Sequence, residues 1–492
     1  MDKSQTYLQF TEPSHSPAPL SGKFFESSLG ETVRRGEMRS ALAKQLTRTA
    51  RAHSRFTDLS DFPSSSLSHQ NTHWVPYADG GCFVKAYQCH TDREADGFSH
   101  GLNWALACKG VIVKDKAFYN MTSLELKKRG TIETEQWSGV PLHVRGNVAG
   151  GTPNISRAQF SKLLNLVSTH LSSVHNLYVQ DGAVGSSPKC DAKVRVIADS
   201  PSAILSLNNI LWERTCRAIS HDSCPLTVYI ASSINTNVKE ILGKASDQAS
   251  VGLAVADIER SSLILCGKAF AASGVIKDAL RALAAPVLSA RAGIPLSGRL
   301  LVLHDSVNLF FAPEEIIKSV GGIQEYLISS DTGTVIFSDG SAPFFASKCS
   351  IPPSLLKKPA SVILVSSDST TALPLVSQIS PGQAAYHFLA GYNDGKFVPA
   401  YNRAPSPVDP LALANSLLFE LKESNTPCFL INANDGGKLI SCAELIKLVE
   451  SALANKVPER RAAPDTIVGD LKRKYKSFLL GKFLKLPEEF TF

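Results

Sequence analysis

The sequence predicts an α/β fold with large mixed sheets, and three observations support this prediction. Short segments rich in Val, Ile and Leu, bounded by Gly, Asp, Asn or Pro, recur from about Trp74 onward and are typical of buried strands. Longer helical patterns alternate with these strands, which indicates an α/β architecture. The protein has 492 residues, 43% of them hydrophobic, so it can bury a large core in two or three domains.

The predicted strands share a run of β-branched and aliphatic residues that ends at a turn-forming residue. In sequence order they are GCFVKAY, GVIV, LYVQD, KVRVIA, LTVYIA, GLAVADI, SLILCG, RLLVLH, VNLFF, TVIFSDG, SVILVSS and CFLINAN. The predicted helices are ISRAQFSKLLNLVSTHLSS, VIKDALRALAAPVLSA, SPGQAAYHFLAGY, DPLALANSLLFELKES and SCAELIKLVESALANK. Ser156 begins the first of these helices and is expected to cap it, because a serine hydroxyl accepts a free backbone amide there.

Both ends of the sequence are basic. Residues 1–70 form a Ser/Pro-rich extension, and Arg34 to Arg55 carry seven Arg or Lys side chains against a single acid. This stretch is interpreted as an organelle-targeting element, as an arm that contacts phosphates, or as a solvated helix face. The possible arm includes Arg34, Arg35 and Arg48. Residues 457–492 are expected to form a basic helical tail.

Cysteine spacing and hydropathy limit the class of protein. The ten cysteines contain no CxxC pair, so the sequence suggests neither a zinc cage nor a disulfide framework but buried thiols in a reducing compartment. No apolar run approaches the roughly 20 residues that span a bilayer, and we expect a soluble protein without a membrane partner. A net charge of +7 and a pI near 8.8 permit a nucleic-acid partner without requiring one.

A strand-to-helix turn lies near the middle of the sequence. Residues 307–312 predict a buried strand and residues 314–320 a helix, which is the place where α/β proteins commonly bind phosphate. The turn contains Pro313-Glu314-Glu315, with no glycine or lysine. Pro313 offers no amide donor, and two carboxylates would repel a polyphosphate.

Three stretches together resemble the ATP-dependent phosphoenolpyruvate carboxykinases. They are HNLYVQDGAVGSSPKCDAKVRVIADSPSAILSLNNIL, ASVILVSSDSTTALPLVSQISPGQAAYHFLAGY and CFLINANDGGKLISCAELIKLVESAL. The resemblance covers roughly residues 120–455 and implies two mixed-sheet lobes, which we place at residues 71–225 and 226–456. It also implies that the turn after Phe311 is a degenerate phosphate loop.

The resemblance also implies that catalytic groups are missing. Val140 stands where the family has a substrate-binding arginine, and the metal-binding lysine and histidine fall near Gly274 or Val275 and near Ile294. Without these groups a metal ion cannot be held between substrate and ATP. We therefore expect a pseudoenzyme without a metal or another cofactor.

Some polar positions survive. The family's phosphate-contacting arginine falls on Lys348, and its nucleotide-side Lys-Arg-Ile-Ser falls on the segment from Lys438 to Ser441. A lysine attracts phosphate as a point charge. We predict that Lys348, Lys438, Ser441 and Arg145 contact an RNA backbone or 5′-triphosphate, with Arg34, Arg35 and Arg48 as an outer arm. The alternative for each lysine is an ordinary surface residue.

The degenerate core and basic ends are similar to the guide-RNA-associated proteins of kinetoplastid mitochondrial RNA editing. That resemblance implies a non-catalytic subunit of the mitochondrial matrix that binds and stabilises guide RNA, including its 5′-triphosphate end. The implied partners are a paralogous subunit, as a heterodimer or hetero-oligomer, and other editing factors. Two alternatives stay open: a pure protein scaffold of a mitochondrial complex, and residual carboxykinase activity or nucleotide binding.

Overall fold

The computed structural model describes most of the residues that follow residue 98. The described residues are 99–131, 142–147, 155–187, 190–212, 226–234, 252–267, 273–346, 357–454, 456 and 464–492. The predicted arm (Arg34, Arg35 and Arg48), the predicted phosphate ligand Lys348 and the substituted position Val140 lie outside these residues, as does the predicted strand GCFVKAY.

Ten α-helices occur in the described residues. They are α1 (His100–Ala107), α2 (Ser123–Lys128), α3 (Arg157–Ser173), α4 (Pro201–Asn208), α5 (Ser273–Ala290), α6 (Glu314–Ser319), α7 (Pro381–Ala390), α8 (Pro410–Glu423), α9 (Cys442–Leu453) and α10 (Asp465–Lys482). The predicted cap of α3 is confirmed, because the Ser156 hydroxyl accepts the backbone amide of Gln159. None of the described helices combines the length and apolar character that a bilayer span requires.

Nineteen strands accompany these helices in the same residues. They are β1 (Lys116–Tyr119), β2 (Leu142–Arg145), β3 (Asn176–Val184), β4 (Ala192–Ala198), β5 (Leu226–Ala231), β6 (Leu253–Asp257), β7 (Ser262–Cys266), β8 (Ile294–Leu296), β9 (Arg299–Leu303), β10 (Ser306–Phe311), β11 (Thr334–Phe337), β12 (Gly340–Pro343), β13 (Val362–Ser366), β14 (Val376–Ile379), β15 (Tyr392–Asn393), β16 (Lys396–Phe397), β17 (Cys428–Asn432), β18 (Asn434–Asp435) and β19 (Lys438–Leu439).

Seven strands form the first sheet, in the order β1-β3-β4-β5-β7-β6-β2, with parallel and antiparallel pairs. Its central strands β4, β5 and β7 are buried along almost their whole length because both faces are covered. Ile197 and Tyr229 face the cluster that contains α3, whereas Val196 and Val228 face the cluster that contains α4 and α5. Strands β5, β6 and β7 belong to this sheet, so the sheet extends past the predicted lobe boundary at residue 225 to Cys266. The division into domains stays a prediction.

Five strands form the second sheet, in the order β14-β17-β13-β10-β9, and β10, β13 and β17 run parallel. Leu364 and Leu430 face the cluster that contains α7, α8 and α10, and Ile363 and Ile431 face the cluster that contains α6 and α9. A small sheet, β12-β11-β8, contributes to both halves, because Val335 packs in the first core and the adjacent Ile336 in the second. The predicted α/β fold with two mixed-sheet lobes is confirmed.

Two local predictions were wrong. GVIV is not a strand: the amide of Val111 donates to the carbonyl of Leu106 and terminates α1, while the amide of Ile112 donates to the hydroxyl of Ser172. Buried thiols are found at Cys190, Cys266 and Cys428, but Cys108 is exposed and Cys442 half-buried. Cys108 is the C-cap residue of α1.

Candidate functional site

Three parallel strands of the second sheet, β10, β13 and β17, end at one edge, which we call the carboxyl edge. In open α/β sheets, ligands bind outside the carboxyl ends of the strands. The segments that follow these strands are residues 312–315, 367–373 and 433–439. The carboxyl edge is therefore the candidate site, and it contains the turn singled out in the sequence.

The polar groups of the turn after β10 are bonded to other groups of the protein. Pro313 occupies the N-cap of α6 without a capping bond from its side chain, and its carbonyl accepts the amides of Ile316 and Ile317. The first helical residue, Glu314, accepts a 2.6 Å hydrogen bond from Nη2 of Arg299. Glu315 forms an ion pair with Arg403. Both carboxylates of the turn are thus engaged by arginines of the same protein.

Six charged side chains gather behind this turn, and we call them the central ion cluster. They are Lys277, Asp278, Arg281, Arg299, Glu314 and Asp331. Lys277 and Arg281 lie one turn apart on α5, so they face the same way. Nζ of Lys277 lies 2.7 Å from Asp331, and the nearest Arg281–Asp278 atoms lie 3.3 Å apart.

Backbone oxygens complete the central ion cluster. Nη2 of Arg281 donates to the carbonyl and hydroxyl of Thr332, each at 2.8 Å, and Nε of Arg299 donates to the carbonyl of Ser330 at 3.0 Å. Burial lowers the pKa of the Arg281 guanidinium, opposed by its neighbouring carboxylates. Burial also raises the pKa of the Asp278 carboxyl, which Arg281 counteracts. The cluster therefore consists of three cations and three carboxylates that neutralise one another.

Lys277, Arg281 and Arg299 were not among the residues predicted from the sequence. The signal that marks the first two is a pair of cations four residues apart, with Asp278 between them, in a helix whose other residues are apolar, VIKDALRALAAP. Arg299 gives a weaker sequence signal, a charged residue that opens an apolar strand; in the structure it is only 3% exposed. A buried arginine requires carboxylate or carbonyl partners, but the sequence does not identify which ones.

The loop after β13 is held by Asp368, which is fully buried. Its carboxylate accepts the amide and hydroxyl of Thr370 and the amide of Leu373 at 2.6 to 3.1 Å. The Asn432 side chain at the end of β17 bonds the amide and carbonyl of Asp368. Asp368 therefore orders the loop through hydrogen bonds within the protein.

The hairpin after β17 carries the predicted residues Lys438 and Ser441. Lys438 is exposed in β19, opposite Asp435 in the strand register. Ser441 caps α9: its hydroxyl accepts the amide of Glu444, and the Glu444 carboxylate accepts the Ser441 amide at 2.7 Å. These bonds with Ser441, together with Lys438, lower the pKa of Glu444. Lys438 is thus an exposed cation beside Asp435 and Glu444, whereas the side chain of Ser441 has a capping role.

Arg145 lies in a different part of the molecule, at the end of β2 in the first sheet. It is 9% exposed, and its guanidinium bonds both carboxylate oxygens of Asp257 and one of Glu259, each at 2.7 Å. Burial opposes the charge of Arg145, but these two acids outweigh it and raise its pKa. In the structure Arg145 thus has an internal ion-pair role, with a carboxylate at both ends of its guanidinium, and its contact with RNA stays a prediction.

The positions implied for metal ligands carry none. Gly274 is exposed near the start of α5, and Val275 and Ile294 are half-buried. Among the residues that the structure describes, no group of three or more His, Cys, Asp or Glu side chains is arranged to hold a metal ion. A depression of about 510 Å³ lies at the opposite edge of the second sheet, beside Ser306 and Pro427, where strands begin. It lies at the other end of β10 from the turn that contains Pro313.

Comparison with known proteins identifies relatives. A family model described as phosphoenolpyruvate carboxykinase matches residues 144–311 and 341–463, more than half of the sequence. Enzymes named phosphoenolpyruvate carboxykinase (ATP) are similar to parts of it. That of Shouchella clausii is 25% identical over 30% of this chain and 33% of its own length. That of a Bradyrhizobium species is 30% identical over 16% of this chain and 18% of its own length. That of Afipia carboxidovorans is 25% identical over 24% of this chain and 26% of its own length. The chain thus matches a third or less of each relative.

Proposed function

The chain belongs to the phosphoenolpyruvate carboxykinase family, and from this premise we propose that it is a non-catalytic member that binds RNA. The observation that carries the proposal is the end of β10. The family match is interrupted after Phe311 and resumes at residue 341, and the interruption begins with Ala312-Pro313-Glu314-Glu315, with Arg299 bonded to Glu314. A turn with a proline, two acids and no lysine lacks the backbone donors and the lysine with which a phosphate loop holds ATP.

The lost metal ligands support the same proposal. A carboxykinase uses a metal ion to polarise its substrate and bridge phosphate oxygens. The implied ligand positions carry Gly274, Val275 and Ile294. The nearby lysine of α5, Lys277, already holds Asp331 in the central ion cluster. No step of carboxykinase chemistry is therefore assigned to these residues.

RNA binding is supported by the overall charge and by Lys438. The protein carries a net charge of +7, and exposed cations of α10 and the following residue run include Lys472, Lys474 and Lys485. Phosphate polymers are attracted by such cations without catalytic geometry. We propose that the bound RNA is a guide RNA with a 5′-triphosphate, that a paralogous subunit and other editing factors are partners, and that the complex works in the mitochondrial matrix.

The test compares two RNAs of one sequence, with a 5′-triphosphate or a 5′-hydroxyl. Lys438→Ala and Lys348→Ala are expected to weaken binding of the triphosphate RNA several-fold more than that of the hydroxyl RNA, as measured by filter binding. Lys128→Ala, an exposed lysine on α2, is the matched control and leaves both affinities unchanged. Equal weakening of both RNAs by the Lys438 and Lys348 changes would place recognition of the 5′ end elsewhere.

A protein scaffold is the second candidate, favoured by the neutralised charges of the central ion cluster. The scaffold predicts no RNA retention even at about 50 mM salt, where phosphate contacts are strongest. Residual carboxykinase activity is tested separately. Manganese-dependent decarboxylation of oxaloacetate by the purified full-length protein would contradict a non-catalytic role.

A further inference from the structure

The pair formed by Arg299 and Glu314 has the geometry of an occupied anion site. The Arg299 side chain is 2% exposed, whereas the Glu314 side chain is 37% exposed, so the carboxylate lies on the solvent side of the guanidinium. The N···O distance of 2.6 Å is that of a short, charge-assisted bond. Nε of the same guanidinium is fixed by the carbonyl of Ser330. The arginine is therefore rigid, and the glutamate is the accessible partner.

The charge balance of the central ion cluster depends on Glu314. With it, the cluster has the cations Lys277, Arg281 and Arg299 against Asp278, Asp331 and Glu314. Asp331 is bonded to Lys277, and Asp278 lies beside Arg281, so neither carboxylate replaces Glu314 at Arg299. Loss of the Glu314 charge leaves one excess positive charge in a largely buried setting, which strongly favours capture of another anion.

The position of Glu314 at the start of a short helix leaves its side chain free to rotate. It is the first residue of α6, a helix of only six residues whose N-cap, Pro313, makes no capping bond through its side chain. The Glu314 carboxylate can leave Arg299 by side-chain rotation without breaking a strand. A phosphate oxygen forms the same kind of hydrogen bond with a guanidinium as a carboxylate oxygen does.

We propose that Glu314 is a tethered anion that occupies a phosphate-binding position on Arg299, and that displacing Glu314 opens this position to a phosphate or pyrophosphate group. In the wild-type protein, the ligand competes with Glu314 and binds weakly. The phosphate group can come from inorganic pyrophosphate, a nucleotide or the 5′ end of an RNA. This site does not depend on the RNA binding proposed above.

The test uses the full-length protein and inorganic pyrophosphate, measured by isothermal titration calorimetry. Glu314→Gln, which keeps the size of the side chain and removes its charge, is expected to bind pyrophosphate at least tenfold more tightly than wild type. Glu315→Gln is the matched control: it changes the adjacent glutamate, whose partner Arg403 is half-exposed, and is expected to bind like wild type. The double change Arg299→Gln with Glu314→Gln should abolish the gain.

Thermal unfolding gives a second readout if Glu314→Gln is too unstable for calorimetry. Pyrophosphate is then expected to raise the Tm of Glu314→Gln or Glu314→Ala more than that of wild type. Equal affinities and equal shifts for wild type and the Glu314 variants would overturn the proposal. ATP and a 5′-triphosphate RNA serve as further arms that identify the source of the phosphate. If wild type binds RNA but the Glu314 variants bind pyrophosphate no more tightly than wild type, only this site is refuted. If the Glu314 variants bind pyrophosphate more tightly but wild type binds no RNA, only the proposed RNA function is refuted.

Discussion

His387 is a histidine kept neutral by an aromatic core. It is fully buried on α7, with ring centroids of Tyr475 and Phe492 at 5.3 and 5.4 Å, and its Nδ1 has no hydrogen-bond partner in the described residues. Burial lowers its pKa from 6.5 to about 4. The unfolded protein therefore binds a proton at this histidine at higher pH than the folded protein does. The contribution of neutral His387 to the free energy of unfolding is fully present above pH 6.5 and is lost as the pH falls toward 4.

This difference predicts a measurable dependence on pH. Between pH 7 and about pH 4.5, His387 is expected to cost about 2 to 3 kcal/mol of unfolding free energy, since each pKa unit corresponds to about 1.4 kcal/mol. His387→Phe should lose less stability over this interval than wild type, as measured by urea unfolding at each pH. His304→Asn, a change of an exposed histidine to a residue that tolerates its positive φ, is the control and should follow wild type. An unchanged pH dependence in His387→Phe would rule out this origin.

Arg145 and Lys438 show why residue type alone did not separate a cation buried in ion pairs from an exposed one. Both are cations near strand ends, and the sequence treats them alike. Arg145 meets Asp257 and Glu259, which follow it by more than a hundred residues, only because β2 pairs with β6. Such partners depend on strand order, which one sequence does not determine. Lys438 lies at a hairpin whose glycines, Gly436 and Gly437, adopt positive φ and expose it, a turn signal that the sequence does contain.

At the scale of elements, Ser441 illustrates a local role that competes with a ligand role. The sequence SCAE has a serine followed three residues later by a glutamate, the capping-box pattern, and the structure contains both of its hydrogen bonds at α9. Ser441→Ala is therefore expected to cost about 1 kcal/mol of stability, because the Glu444 amide loses its acceptor. RNA affinity should not change.

Urea unfolding and filter binding together check the role of Ser441. Ser441→Asp, which can still cap α9, is the matched variant and should retain most of the stability. The capping role would be refuted by Ser441→Ala if this variant keeps wild-type stability and loses RNA binding.

Elements with a strong period were predictable, and elements fixed by tertiary contacts were not. The five predicted helices are long or well capped, and all five are present. α1, α2 and β1 escaped prediction because each has eight residues or fewer and little periodic signal. The composition of the turn after β10 was predictable because it is set by neighbouring residues in the sequence, Pro313, Glu314 and Glu315. The central ion cluster was not, because α5, β9 and the residues around Asp331 meet only in the folded protein.

At the scale of the whole molecule, the C-terminal tail is part of the second core. The sequence predicts a basic helical tail over residues 457–492, and α10 is indeed a helix with exposed lysines. Its other face buries Leu471, Tyr475 and Leu479, spaced four residues apart, and Phe490 near the end of the tail is buried in the same cluster. Nε2 of Gln383 on α7 donates to the carbonyl of Phe492. The basic face is thus presented by a helix that the fold itself requires.

This packing predicts that the tail contributes to stability whether or not RNA is present. Tyr475 is fully buried against Tyr386, Tyr392 and Phe397, so Tyr475→Ala is expected to cost about 3 to 5 kcal/mol, the range for removing a buried aromatic ring. Leu480→Ala, on the same helix at 52% exposure, is the control and should change stability by less than about 0.5 kcal/mol. Urea unfolding of the RNA-free, full-length protein measures both. If the tail were a free arm, the two variants would lose equally little stability. If α10 is part of the core, Tyr475→Ala loses far more stability than Leu480→Ala, because only the Tyr475 ring packs in the aromatic cluster.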